Sequence, residues 1–167
     1  GNNDGRVIAV TNSDSTLFKN LTIQNGLYNL NAGSGGFGGG GIYVKNSILS
    51  LDNLKIWNNT SVQDGGGIAS TESQLSINNS IIENNQTTDY SSGGGITSDQ
   101  TALYLNNVDI INNSTAYYGG GIMLANNSTG NFTNVNISGN TANSDGGGIC
   151  GDSDMSIYNS IIENNSS

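Results

Sequence analysis

The chain has 167 residues, 34% of them hydrophobic and 7% aromatic, with 25 glycines and no proline, and this composition excludes a thick core of the ordinary globular kind. Thirteen acidic residues face four basic ones (Arg6, Lys19, Lys45 and Lys55, all in the first third); a net charge of -9 repels phosphate backbones and excludes nucleic acid as a natural partner. Histidine is absent, Cys150 has no second cysteine to pair with, and there is no apolar run of about 18 residues that would insert in a membrane.

Along the chain, an apolar start around Ile8 leads to "FKNLTIQNG" from Phe18. A glycine-rich stretch near 26–41 follows, "GLYNLNAGSGGFGGGG". It stretches the interval from Ile8 to Ile42 to 34 residues and predicts an inserted loop, with Tyr28 and Phe37 as its aromatic residues.

From there the tetrapeptide GGGI recurs, ending at Ile42, Ile68, Ile96, Ile122 and Ile149, with intervals of 26, 28, 26 and 27 residues. Each copy is followed by an apolar residue, a spacer, asparagine, two residues, an apolar residue, two residues and asparagine: "LDNLKIWNN" from Leu51, "INNSIIENN" from Ile77, "LNNVDIINN" from Leu105, "FTNVNISGN" from Phe132 and "IYNSIIENN" from Ile157. Low-complexity polar sequence that is disordered does not keep such columns.

Within each repeat apolar residues alternate (Leu49 and Leu51, Leu54 and Ile56, Val108 and Ile110), the period of a strand. Three short strands are expected per repeat: one at the glycine-following isoleucine, one ending just before the first asparagine and one beginning just after it. Three strands and three bends close one turn of a right-handed parallel β-helix, with turns stacked at about 4.8 Å and about six turns in all. A leucine-rich repeat shares the spacing of the leucines and asparagines. Its outer helix, however, has no counterpart in stretches such as "GGGIASTESQLSI", which carry no 3.6-residue apolar face.

In this plan Gly41–Ile42, Gly67–Ile68, Gly95–Ile96, Gly121–Ile122 and Gly148–Ile149 form a glycine corner with an inward isoleucine. Two inward asparagine ladders are expected, each amide bonded to its neighbour one turn away. The first is Asn20, Asn53, Asn79, Asn107, Asn134 and Asn159; the second is Asn59, Asn85, Asn113, Asn140 and Asn165.

These residues resemble the polymorphic outer-membrane protein repeats, which pair a GGA(I/L/V) tetrapeptide with FxxN, here as GGGI with I-x-x-N ("IWNN" at Ile56, "IENN" at Ile82, "IINN" at Ile110, "ISGN" at Ile137, "IENN" at Ile162). The asparagine-rich style is similar to archaeal adhesin-like surface proteins. The resemblance implies a surface-displayed passenger or stalk used in adhesion, with glycans or a neighbouring cell surface as partners.

Other functions leave thinner traces. A glycosidase needs two carboxylates across a cleft, but Asp152 and Asp154 form a D-x-D pair, and Glu83 and Glu163 sit three turns apart. A lyase needs a cation near its base, and Arg6 lies at one edge. No catalytic set, metal centre or cofactor is expected, except that Asp4, Asp64 and Asp145, next to glycine corners, raise the question of structural calcium. The outward row Tyr43, Ala69, Thr97, Met123 and Cys150 is too irregular for an ice-binding face. Exposed Trp57, Ile81, Ile111 and Ile161 read either as ordinary scattered surface apolar residues, the favoured reading, or as a lateral contact with another subunit or with carbohydrate. Among the N-x-S/T sequons, Asn58, Asn112 and Asn164 should face solvent and accept glycosylation if the chain is exported. Joined head to tail, Ser167 to Gly1, two copies would place 13 residues between Ile162 and the next Ile8, against 12 to 14 internally. A longer coil or a self-stacking fibre is therefore expected.

Overall fold

The computed structural model describes residues 5–29 and 38–167. The expected glycine-rich loop, with Phe37, falls largely on residues 30–37, outside the described residues. Every extended sheet pairing is parallel, no helix occurs among the described residues, and the chain winds into a parallel β-helix of about five turns with three faces.

The first face stacks six strands: Ile8–Thr11, Ile42–Lys45, Ile68–Thr71, Ile96–Asp99, Ile122–Ala125 and Ile149–Gly151. Its register places Ile8, Ile42, Ile68, Ile96, Ile122 and Ile149 in one vertical file. Ile8 pairs with Ile42 despite the long interval between them.

The second face shows the expected division into strands in three turns and departs from it in three others. Gln74–Glu83, Ala102–Ile111 and Thr129–Ser138 each run ten residues without interruption. In these three turns the first asparagine bends a continuous strand: Asn79, Asn107 and Asn134 take left-handed φ of 48°, 57° and 53° inside the strand and drop out of the pairing. In the turns of Asn20, Asn53 and Asn159 the expected break is present, between Thr16–Lys19 and Thr22–Gln24, Ile48–Asp52 and Lys55–Trp57, and Asp154–Tyr158 and Ile161–Glu163. The third face comes instead after the second asparagine. It consists of two-residue strands, Leu27–Tyr28, Thr60–Ser61, Gln86–Thr87, Ser114–Thr115 and Thr141–Ala142.

The bore is filled by files of like residues one rung apart: Leu49, Leu75 and Leu103; Leu51, Ile77, Leu105 and Phe132; Ile56, Ile82, Ile110 and Ile137. Fully burying one such side chain contributes about 1.5–3 kcal/mol, so a narrow column suffices when repeated on every rung. At Gly130 the leucine file is interrupted, and the ring of Phe132 fills the space: a Cβ on Gly130 would lie 2.9 Å from it. Two serines enter the bore where Val44 and Leu124 stand in other turns. Ser70 shares a hydrogen bond with Thr101, 3.2 Å away, while the fully buried Ser98 hydroxyl has no partner.

Candidate functional site

The second asparagine row is an inward ladder, as expected, and its middle rungs saturate the amide. The Nδ2 of Asn59, Asn85, Asn113 and Asn140 donates to the Oδ1 of the next asparagine, ending at Asn165, over 2.9–3.0 Å. Its other hydrogen goes to a carbonyl one turn back: Ile23, Ile56, Ile82 and Ile110, with Asn165 donating likewise to Ile137. The Oδ1 also accepts the backbone N–H of the turn before, from Gly26 to Asn59 up to Asn140 to Asn165. At Asn85, Asn113 and Asn140 two donors and two lone pairs are thus all used, the condition under which a buried amide stops being a liability.

The three glycines of GGGI have separate tasks. The first (Gly39, Gly65, Gly93, Gly119 and Gly146) takes φ between 66° and 77°, a region that costs a side-chain-bearing residue free energy. The second passes so close to carbonyls of the next turn that any Cβ would collide. The third (Gly41, Gly67, Gly95, Gly121 and Gly148) faces the ladder, where a Cβ would sit 2.9–3.2 Å from the asparagine amide one turn on. The glycine motif and the asparagine motif therefore recur together because one makes room for the other.

The first asparagine row differs from expectation. Asn20, Asn53, Asn79, Asn107, Asn134 and Asn159 are all exposed, since the left-handed bend turns the side chain outward. Its ladder is fragmentary: Asn53 donates to Asn20 and Asn107 to Asn79, while Asn79 donates to Asp52. The row serves the backbone, because asparagine tolerates that region better than most residues. A third ladder, of hydroxyls, has no asparagine signature. Ser47, Ser73, Thr101 and Ser128 each donate to a carbonyl two or three residues back; Ser47, Ser73 and Ser128 also accept an N–H from the preceding turn.

The remaining sequence candidates stay apart. Asn58, Asn112 and Asn164 are exposed corner residues at φ 54°. Glu83 and Glu163 lie in one file three turns apart, about 14 Å at the β-helix rise and too far for paired carboxylate chemistry; Glu83 instead holds Lys55 at 2.7 Å. Asp152 and Asp154 are exposed. Arg6 lies between the rings of Tyr28 and Tyr43, 4.3 and 4.4 Å from their centroids, which occupies the cation and buries Tyr28. Asp64 accepts the Ser92 N–H at 2.6 Å, and burial pushes its carboxyl above the usual range. Asp145 is exposed, Asp4 is outside the described residues, and no three potential metal ligands cluster among the described residues. Burial raises the Cys150 thiol, as do the nearby Asp145 and Asp152. Trp57 and Ile111 are half-buried in one file of the second face, and Ile81 and Ile161, 36% and 56% exposed, share the file two residues earlier along the strand.

A surface feature that the sequence reading missed lies beside the third face. The 28-residue interval carries two extra residues, Asp89 and Tyr90, which project as a turn with Asp89 at φ 57°. Tyr90 is 90% exposed. Its ring meets Tyr117 edge-on at 6.2 Å, and Tyr117 packs on Tyr118 at 3.8 Å. The hydrogen bond with Tyr117 holds the Tyr118 phenol above its ordinary range. The turn is strapped down: the Ser91 carbonyl accepts the hydroxyls of Thr87 and Thr115, and the Ser91 hydroxyl donates to the Val62 carbonyl. An open groove of about 270 Å³ adjoins it, lined by Gln86, Thr88, Asp89, Ser114, Thr141 and Asn143. The only sequence signal for this ledge was the extra length of one interval.

Fold and ladders together define a parallel β-solenoid whose turns are joined by side-chain as well as backbone hydrogen bonds. Compared with known proteins, the chain matches no family model, no curated protein and no solved structure.

Proposed function

We propose that this chain is a stiff segment of a non-catalytic, extracellular surface protein, an adhesin-like stalk related in style to the polymorphic outer-membrane repeats. The observation that carries the reading is the asparagine ladder. Each amide is satisfied only by the turn before and the turn after, so turns stabilise one another in one dimension and length is added without a new core. A rod of this kind holds what it displays away from a surface. Its partners are glycans or a neighbouring cell surface, and its own kind.

The experiment incubates the purified chain with an immobilised glycan panel and measures both retention and newly formed reducing ends. Retention without new reducing ends is expected. Accumulating reducing ends would overturn the reading in favour of a polysaccharide-acting enzyme.

A further inference from the structure

The geometry points to the tyrosine ledge and the third face beside it as a binding site for a neutral, extended oligosaccharide of equatorially linked pyranoses, lying along the rod axis. This assignment rests on the surface-binding reading above and gives it a location.

Three observations converge. First, the aromatic surface is displayed and yet held. Tyr90 is 90% exposed, while the turn that bears it is tied to three strands' worth of neighbours through Ser91, so little order is lost when a ligand arrives. An aromatic face is matched by the patch of axial C–H groups on an equatorially substituted pyranose, an apolar surface flanked by polar groups, as the phenol itself is.

Second, the adjoining face offers hydrogen-bonding side chains at a fixed repeat. Thr60, Gln86, Ser114 and Thr141 occupy one outward file, each directly over the next, and Ser166 continues it. The rungs are about 4.8 Å apart, close to the length of one pyranose residue in an extended chain. A ligand with the same period meets a hydroxyl or amide at each residue, whereas a coiled, axially linked glucan drifts out of register within two or three residues.

Third, the charge selects against acidic glycans. Asp89 lines the groove, Asp145 lies near Tyr118, and all four basic residues precede Trp57 in the chain, so no cation follows it to neutralise a uronate. The groove is shallow, its volume below the roughly 300–1,000 Å³ of small-ligand sites, which implies weak single-site affinity amplified by display in many copies.

The test titrates cellohexaose, maltohexaose and a galacturonate hexamer into the intact chain by calorimetry, with wild type, Tyr90→Ala, Gln86→Ala and the second-face control Trp57→Ala. Cellohexaose should bind wild type and Trp57→Ala alike, and binding should weaken about tenfold in Tyr90→Ala and severalfold in Gln86→Ala. Maltohexaose and the galacturonate should bind at least tenfold more weakly than cellohexaose. Unchanged thermal melting of Tyr90→Ala, expected for so exposed a side chain, makes the loss interpretable. No cellohexaose binding to wild type, or binding indifferent to Tyr90, overturns the site. Binding indifferent to Tyr90 without chain cleavage leaves the surface-binding reading standing, whereas cleavage of cellohexaose sinks that reading instead.

Discussion

Replacing Asn113 with alanine tests the ladder at its middle. The amide makes four hydrogen bonds: Nδ2 to the Ile82 carbonyl at 2.9 Å and to Asn140 Oδ1 at 3.0 Å, and Oδ1 from the Asn85 N–H and Asn85 Nδ2, both at 3.0 Å. Truncation orphans two buried donors on Asn85. The two acceptors each lose one donor, a milder loss, and Asn140 Oδ1 still accepts the Asn113 N–H at 2.9 Å. At about 1–3 kcal/mol per orphaned buried group, with the smaller loss at the acceptors and partial relief by water entering the void, the expected cost is about 4 kcal/mol. For a chain of this length that lowers the melting temperature by roughly 8–16 °C. Thermal melting followed by far-ultraviolet circular dichroism reads the total, and amide hydrogen exchange reads the location, since the Asn85 N–H should lose its protection first. The control is Asn112→Gly, one residue earlier at an exposed corner where the next turn already has Gly139; it should change stability by less than about 0.5 kcal/mol. Equal destabilisation by both substitutions, or an unchanged Asn85 exchange rate in the alanine variant, would refute the argument that the ladder joins the turns.

Ser98→Val should stabilise the protein by about 1 kcal/mol or more in urea unfolding, because it removes a buried hydroxyl that has no partner and adds apolar volume to a file that holds Val44 and Leu124. Gly121→Ala should cost about 2–4 kcal/mol, its Cβ falling 2.6 Å from the Gly148 carbonyl oxygen and 3.2 Å from the Asn140 amide, whereas Gly5→Ala, with open space around it, should be neutral in the same melt. Asp64 has its folded pKa raised by burial above 3.8, so the stability it contributes is fully present below the unfolded pKa and is lost as pH climbs through the folded one. Asp64→Asn keeps an oxygen for the Ser92 N–H and abolishes that dependence. The variant should be the more stable at neutral pH, with wild type gaining on it as the pH falls through the acidic range; parallel stability curves across that range would contradict the assignment.

How far the sequence reached is best seen at its asparagines. Period and registry were legible because each rung repeats one physical problem, so identical residues recur at intervals the chain cannot change without leaving the sheet. That gave the parallel β-helix, the isoleucine file, the second asparagine ladder and the exposed Asn58, Asn112 and Asn164. The direction of a single amide was not legible. In Asn78–Asn79 the second residue takes the left-handed bend and faces solvent, while in Asn84–Asn85 the first one does and the second is buried. The same dipeptide has opposite solutions, decided by which backbone position must turn. For that reason the first row reads like a ladder and serves as a bend, and at Asn79, Asn107 and Asn134 the expected strand break dissolves into one ten-residue strand.

What the sequence by itself determined is everything that depends on repetition: the fold class, the rung-over-rung register and the residues that fill the bore. Only the tertiary structure decided what depends on neighbours from different turns. Gly130 and Phe132 share one volume, the third glycine of each corner clears the next turn's amide, and Tyr90 and Tyr117, 27 positions apart in the chain, meet as one surface. Lateral distance across rungs is set by the coil's closure, and closure is a property of three faces together rather than of any stretch of residues.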